Sequence, residues 1–135
     1  MRICRDLYAQ LVEHALLEAP KECCGLIACR DGEAVRVHPC ANAADSEYRF
    51  EIDGTEQWNY TMKMAEEGLQ LGAIYHSHTH AEPYPSTLDI MMAAYRDVLY
   101  IIVGVAAEEP VATPGRVHAF TIRDGQVTRV DLDVI

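Results

Sequence analysis

Residues 71–92 read LGAIYHSHTHAEPYPSTLDIMM, and the rest of the chain is best read outward from them. An apolar run from Leu71 to Tyr75 delivers His76-Ser77-His78. A turn broken by Pro83 and Pro85 follows, and then Ser86-Thr87-Leu88-Asp89. Side chains on a strand alternate between faces, so a strand here puts His76 and His78 on one side and Ser77 on the other. Proline disfavours a helical residue before it, and a serine with an acid three places on marks a helix start. Ser86 is therefore expected as N-cap, with Asp89 in the same turn facing the two histidines. Two imidazoles and one carboxylate are an open ligand set for catalytic zinc, with the fourth position left to water. The plainer reading has hydrogen-bonded core histidines and an acid that compensates a helix dipole. It would require one buried face to satisfy both rings.

Toward the N-terminus, residues 4–18 carry apolar side chains at Leu7, Leu11, Val12, Ala15 and Leu16, a helical spacing closed by Pro20. Glu22 to Arg30 reads as a buried strand, Asp31-Gly32 as a hairpin turn and Glu33 to Pro39 as its partner. Residues 41–46 are small and polar and predict a loop. Tyr48 to Ile52 alternates like a half-buried strand. Asp53-Gly54-Thr55 is expected to open a helix to about Glu67, with Trp58, Met62 and Ala65 on its apolar stripe.

Beyond the central stretch the helix from Ser86 is expected to reach about Tyr95. Val98 to Val103 is a near-continuous apolar run, as for a strand covered on both faces, and Glu108 to Pro114 predicts a loop. Arg116 to Arg123 and Gln126 to Ile135 flank Asp124-Gly125 as a second hairpin. No repeat or linker divides residues 1–135, so one domain is expected: a mixed α/β layer, a twisted sheet with helices packed on it.

Zinc held by His76, His78 and Asp89 would bring the pKa of bound water towards ~7. Neither ligating ring is then free to move a proton, so a carboxylate from elsewhere is required. Glu22 is the candidate, at the start of a strand able to run beside the central one; the plainer reading is a solvated acid after a proline. Ser86 has two competing uses, N-cap and hydrogen-bond donor to the oxyanion, whose loss typically costs ~10²–10³ in turnover. His80 continues the alternating series, but the prolines after it end the strand, and it is expected in the turn or toward substrate. Glu82 and Tyr84 share that turn and are candidate substrate contacts.

The pattern His76-x-His78, seven residues, Ser86, two residues, Asp89, with Glu22 upstream in Pro20-Lys21-Glu22-Cys23-Cys24-Gly25-Leu26, resembles the JAMM (MPN-plus) zinc metallopeptidases. Tyr75 to Thr79 and Glu82 to Ser86 are most similar to the small prokaryotic members. The resemblance implies an MPN-like curved β-sheet flanked by helices, one zinc ion per chain, Glu22 as general base and Ser86 as oxyanion donor. It also implies peptidase or isopeptidase action on the C-terminus of a ubiquitin-like, sulfur-carrier protein with a flexible tail, one branch releasing cysteine in cysteine biosynthesis. An extended tail of that kind is expected to add to a sheet edge.

The formal net charge of −10 argues against nucleic acid, which needs cationic contacts to phosphate. No stretch reaches membrane-spanning length and no uninterrupted apolar segment opens the chain, so a cytoplasmic protein is expected. Cys4, Cys23, Cys24, Cys29 and Cys40 are odd in number and lack a C-x-x-C, so neither a disulfide framework nor a Cys4 metal site is expected. The main rival is a cupin, whose H-x-H and downstream acid are met by His76, His78 and Glu82. It would make the protein a metal-binding β-barrel, an oxygenase or ligand-binding module. Three helical segments and Pro83 and Pro85 inside the motif oppose it. A non-catalytic MPN scaffold that binds a ubiquitin-like partner is the remaining alternative; loss of the ligands would mark it, and all are present.

Overall fold

The computed structural model of the chain describes residues 1–107, 111 and 115–135. Its elements in chain order are β1 (Arg2–Ile3), α1 (Arg5–Glu18), β2 (Cys24–Arg30), β3 (Glu33–Cys40), α2 (Gly54–Glu66), β4 (Gln70–His78), α3 (Thr87–Met92), β5 (Leu99–Gly104), β6 (Arg116–Arg123), β7 (Gln126–Val130) and β8 (Asp133–Val134). The strands form one sheet in the order β7-β6-β5-β4-β2-β3-β1-β8. The β4–β5 pair is parallel, joined by a crossover that carries α3, and β1 lies parallel to both β3 and β8. The remaining pairs are antiparallel. No helix among the described residues is long and apolar enough to cross a membrane.

The alternation of β2 and β4 separates two cores. On one face Cys23, Ile27, Ala73, Tyr75 and Ile101 pack with Leu11 and Ala15 of α1. On the other, Cys24, Leu26, Ile74 and Tyr100 pack with Met64 of α2 and with Phe50, Ile52 and Ile90. The central strand runs from Gln70 to His78, essentially as its apolar run predicts, and is buried from Gly72 onward. Both hairpins turn where expected, with Asp31-Gly32 and Asp124-Gly125 all at positive φ, the conformation of a type I′ turn. All five thiols are free, and Cys23, Cys24, Cys29 and Cys40 are buried. Burial pushes the Cys23 and Cys40 thiols up to about 12, which makes them poor nucleophiles.

Several elements depart from expectation. Tyr48 to Ile52 is not a strand. Its backbone is held instead by Asn42, whose Nδ2 donates to the Arg49 carbonyl and whose Oδ1 accepts from the Glu51 amide. The alternation there serves only to point Phe50 and Ile52 inward. On α2 the expected stripe is turned outward: Trp58 is 65% exposed and Met62 43%, while Met64 is buried and Tyr60 packs beside it. Leu16 of α1 likewise faces solvent at 55%. The third helix stops at Met92 rather than near Tyr95, because the amides of Ala94 and Tyr95 turn to the Tyr100 hydroxyl. Gln126 to Ile135 is two strands, since the chain leaves β6 after Val130 and crosses to pair with β1 at the opposite edge. The loop expected over 108–114 lies, but for Val111, outside the described residues.

Candidate metal centre

The end of β4 and the start of α3 meet over the second core. His76 and His78 point to the same side, and Ser77 points away, its Oγ accepting from the Cys23 amide at 2.8 Å. Ser86 caps α3: its Oγ accepts from the Asp89 amide at 3.0 Å, and Asp89 Oδ2 accepts from the Ser86 amide at 2.9 Å. That reciprocal cap turns the Asp89 carboxylate back toward β4. The three candidate donor atoms then converge. His76 Nε2 and His78 Nε2 are 3.1 Å apart, and Asp89 Oδ2 is 3.2 and 3.1 Å from them.

These distances test the fit to a metal. Ligands about 2.0–2.1 Å from a tetrahedral zinc stand about 3.3 Å from one another. The chain's donors match that triangle, and among the described residues they are the only His, Cys, Asp or Glu group so disposed. The ring orientation agrees. His78 Nδ1 is 2.6 Å from the Glu82 carbonyl, which can only accept, so Nδ1 carries the proton and Nε2 offers its lone pair. The His76 ring is stacked on Phe50 at 4.3 Å, and its buried Nδ1 has no hydrogen-bond partner among the described residues. Burial works to raise the Asp89 pKa, but the bonds from His76 and His78 outweigh it and hold the carboxyl well below its usual range.

Glu22 reaches this face through strand register. Cys24 lies opposite His76, and Cys23 exchanges hydrogen bonds with Ser77, which brings Glu22 beside His78. Its backbone is pinned by Glu22 N–H to the Ser46 carbonyl at 2.9 Å and by Asn42 Nδ2 to the Glu22 carbonyl at 3.1 Å. Thr79 Oγ1 ties the end of β4 to the Pro20 carbonyl at 2.7 Å. The Glu22 side chain is buried and its Oε1 has no partner among the described residues. Burial, with a smaller push from Asp89 and against the pull of His78, raises its pKa to about 8. The arrangement is a triangle of three donors that could hold a metal ion, beside a buried carboxyl whose burial favours its protonated form.

His80 is not with them: it meets Glu47 at 2.9 Å and stacks on Tyr48. Glu82 contributes its backbone to His78 while its side chain faces solvent, so the cupin ligand set is not assembled. Tyr84 is half exposed with its ring on Phe120 at 5.4 Å. A cavity of about 300 Å³ opens beside His76 and Asp89, between Arg49–Ile52 and the α3 residues Leu88 and Met92. The sequence reading missed Asn42, Phe50 and the Glu82 carbonyl, because their contacts to the site depend on how distant segments meet. Only the inward alternation of Phe50 hinted at them.

A family model described as prokaryotic homologs of the JAB domain matches residues 5–121. The chain belongs to this family. Among its JAB relatives, the CysO-cysteine peptidase of Mycobacterium tuberculosis is 32% identical over 132 residues, covering 96% of this chain and 88% of that one. The probable TtuB-protein conjugate cleaving protease of Thermus thermophilus is 39% identical over 123 residues, covering 90% and 76%. A solved protein from Desulfitobacterium hafniense superimposes with a TM-score of 0.84 at 26% identity, over 100% of this chain and 93% of that one. The JAB1/MPN domain protein of Archaeoglobus fulgidus, at 18% identity, shares the fold with a TM-score of 0.63, covering 100% and 99%. The prokaryotic JAB fold expected from the sequence, a curved mixed sheet flanked by helices, is therefore the fold of this chain, and the cupin alternative is excluded.

Proposed function

We propose that the protein is a zinc-dependent peptidase that hydrolyses the amide bond at the C-terminus of a ubiquitin-like, sulfur-carrier protein. The observation that carries this reading is the buried, unpaired Glu22 carboxyl next to a triangle of His76, His78 and Asp89 donors. The names of the two relatives, a CysO-cysteine peptidase and a TtuB-conjugate protease, support a carrier-protein substrate. Bound by His76, His78 and Asp89, zinc supplies Lewis acidity, which makes water acidic near pH ~7 and polarises the scissile carbonyl.

The chain's own groups do the remainder. Glu22, as carboxylate, takes the proton of the attacking water, and as carboxylic acid returns it to the leaving nitrogen. Burial favours the protonated form of Glu22 and a cation held by the three donors would favour the carboxylate, so the two states the transfer needs are both within its reach. The Ser86 Oγ spends a lone pair on the Asp89 amide, which leaves its O–H free to donate to the carbonyl oxygen as charge develops there. Capping and oxyanion stabilisation are thus compatible at Ser86, although the sequence set them against each other. The cavity beside His76 would receive the carrier's extended tail, with Phe50, Ile52 and Leu88 as its apolar walls.

The test is incubation of zinc-loaded protein with carrier–cysteine and carrier–lysine conjugates, with and without chelator, followed by intact-mass measurement. Cleavage that stops on chelation and falls at least ~10³-fold in Glu22→Gln, with zinc content unchanged, is the expected result. A zinc-loaded protein that cuts neither conjugate, or a Glu22→Gln variant that keeps its rate, would end the reading.

A further inference from the structure

On the far side of the 82–84 turn from α3 lies a second cavity of about 300 Å³, lined by Glu82, Pro83, Tyr84, Arg116, His118, Phe120 and Arg129. Its charge is out of character for the chain, which has a formal net charge of −10. Arg2, Arg36, Arg49, Arg96 and Arg123 each meet a carboxylate. Arg5, Arg30, Arg116 and Arg129 meet none among the described residues, and of these four Arg116 and Arg129 stand together, lining this cavity. They lie close enough to His118 to help depress its pKa, after burial. Glu82 lines the same cavity and pairs with neither arginine. A pocket that holds two cations and a separate acid, unpaired, matches a ligand carrying both a carboxylate and an amine.

The sheet relates this pocket to the metal centre. His78 is paired with Gly104 and Gly104 with Arg116, in one row across three strands. His76, Ile102 and His118 form the next row. Rows keep side chains on one face, so Arg116 and His118 share the face of the metal donors, two strand spacings or about 10 Å away. Gly104 has no side chain to fill the row between His78 and Arg116. The 82–84 turn spans the same gap: the Glu82 carbonyl holds His78, the Pro83 backbone meets His118, and Tyr84 meets Phe120 edge to face. The tail cavity is separate from this pocket: it runs from Arg49–Ile52 past His76 and over Tyr100, Ile102 and Ile122, and shares no lining residue with it.

We propose that Arg116 and Arg129 bind the free α-carboxylate of the residue that leaves, and that Glu82 receives its new ammonium group. The inference rests on the hydrolase reading above and names its leaving group. The protein then trims a single amino acid from a carrier's C-terminus, in preference to freeing a lysine side chain. Water adds to the last carbonyl carbon of the carrier, the C–N bond breaks, and the nitrogen takes a proton. The products are a carrier carboxylate and a free amino acid, which is the zwitterion the pocket matches. A lysine joined through its ε-amino group inside a protein offers no carboxylate at this distance. Charged hydrogen bonds contribute about 1.5–3 kcal/mol, so loss of the carboxylate corresponds to about 10- to 100-fold in rate.

The experiment compares three substrates on the zinc-loaded protein: CysO–cysteine, CysO–cysteinamide with its terminal carboxylate blocked, and CysO joined to the ε-amino group of lysine amide. Expected is a kcat/KM for CysO–cysteine about 10- to 100-fold above the other two. In Arg116→Ala/Arg129→Ala that ratio falls toward one, and Arg116→Lys/Arg129→Lys restores part of it. Equal cleavage of the acid and its amide by the wild type, or a ratio untouched in the double alanine variant, overturns the carboxylate site and leaves the hydrolase reading standing. Failure to cleave all three removes the hydrolase reading, and this inference with it. Both arginines are exposed, and circular dichroism of the variants separates a specificity change from misfolding.

Discussion

At Glu22 the proposed role as general base and the stability of the fold pull apart. A buried carboxyl with an oxygen that meets no partner is destabilising wherever it must ionise. Its pKa rises from an ordinary 4.5 to about 8 in the fold. Below pH 4.5 both the folded and the unfolded chain hold this proton. Between 4.5 and 8 only the unfolded chain releases it, so stability falls as pH rises through that window and levels off above it. Glu22→Gln removes the slope. In metal-free protein the variant is therefore expected to match the wild type near pH 4.5 and exceed it in Tm by roughly 10–15 °C at pH 8. Each tenfold change in proton affinity is about 1.4 kcal/mol, or about 4 °C for a chain of this size. Thermal scans of the two proteins across that range test it, and a constant offset would rule it out. The histidines and Asp89 were legible in the sequence because strand alternation and a helix cap are local rules. Glu22 was legible only as a candidate, from the need for a second carboxylate at the start of a neighbouring strand, and the family resemblance singled it out. Its place beside His78 depends on pairing between strands 54 residues apart, as the Cys23–Ser77 bond measures.

At the scale of elements, the β2–β4 pair supports the site from below, and one glycine permits the pairing. A Cβ on Gly25 would lie 2.4 Å from the Tyr75 ring, which crosses it, and the Tyr75 hydroxyl is fixed at 2.7 Å from His14 Nδ1. The ring is fully buried and has nowhere to go. Gly25→Ala is expected to destabilise by about 1–3 kcal/mol. Gly25→Ala/Tyr75→Leu should cost less than the two single changes summed, since they meet at one contact. Urea unfolding of the four proteins measures this, and strict additivity would contradict the contact. The sequence reading of elements succeeded where one local rule acted alone, as at the two Asp-Gly turns and the Ser86 cap. It failed where tertiary partners decided. Tyr48 to Ile52 has strand alternation but finds Asn42 rather than a strand edge. The face of α2 was misjudged because Trp58 and Met62 outweigh Tyr60 and Met64 in apparent apolarity, yet only the latter lie over Leu69 and the sheet.

At the scale of the molecule, the sheet's order came from pairings that no local pattern encodes, including the return of the last strand to β1. That topology leaves the candidate metal centre spanning two unequal parts. His76 and His78 stand on β4, in the middle of the sheet, while Asp89 stands on α3, a six-residue helix with no buried residue. Little apolar burial holds α3 down, so the donor triangle is its main anchor. A metal bound only in the folded state stabilises by RT ln(1 + [L]/Kd), about 2.7 kcal/mol at a hundredfold excess over Kd, or roughly 8–14 °C in Tm for this size. Zinc is accordingly expected to raise Tm by that amount and chelator to reverse it. Hydrogen exchange should locate the local part of the effect. The amides of 86–93 are expected to gain protection with zinc in the wild type, whereas those of β2 and β3 gain only what global stability confers. In Asp89→Ala the protection of 86–93 should be low with or without zinc, because the variant has lost both the cap contact to Ser86 and the link to β4. Equal protection of α3 in metal-free and zinc-loaded protein would mean that packing, not the donor triangle, holds it, and would detach the metal from the stability of the fold.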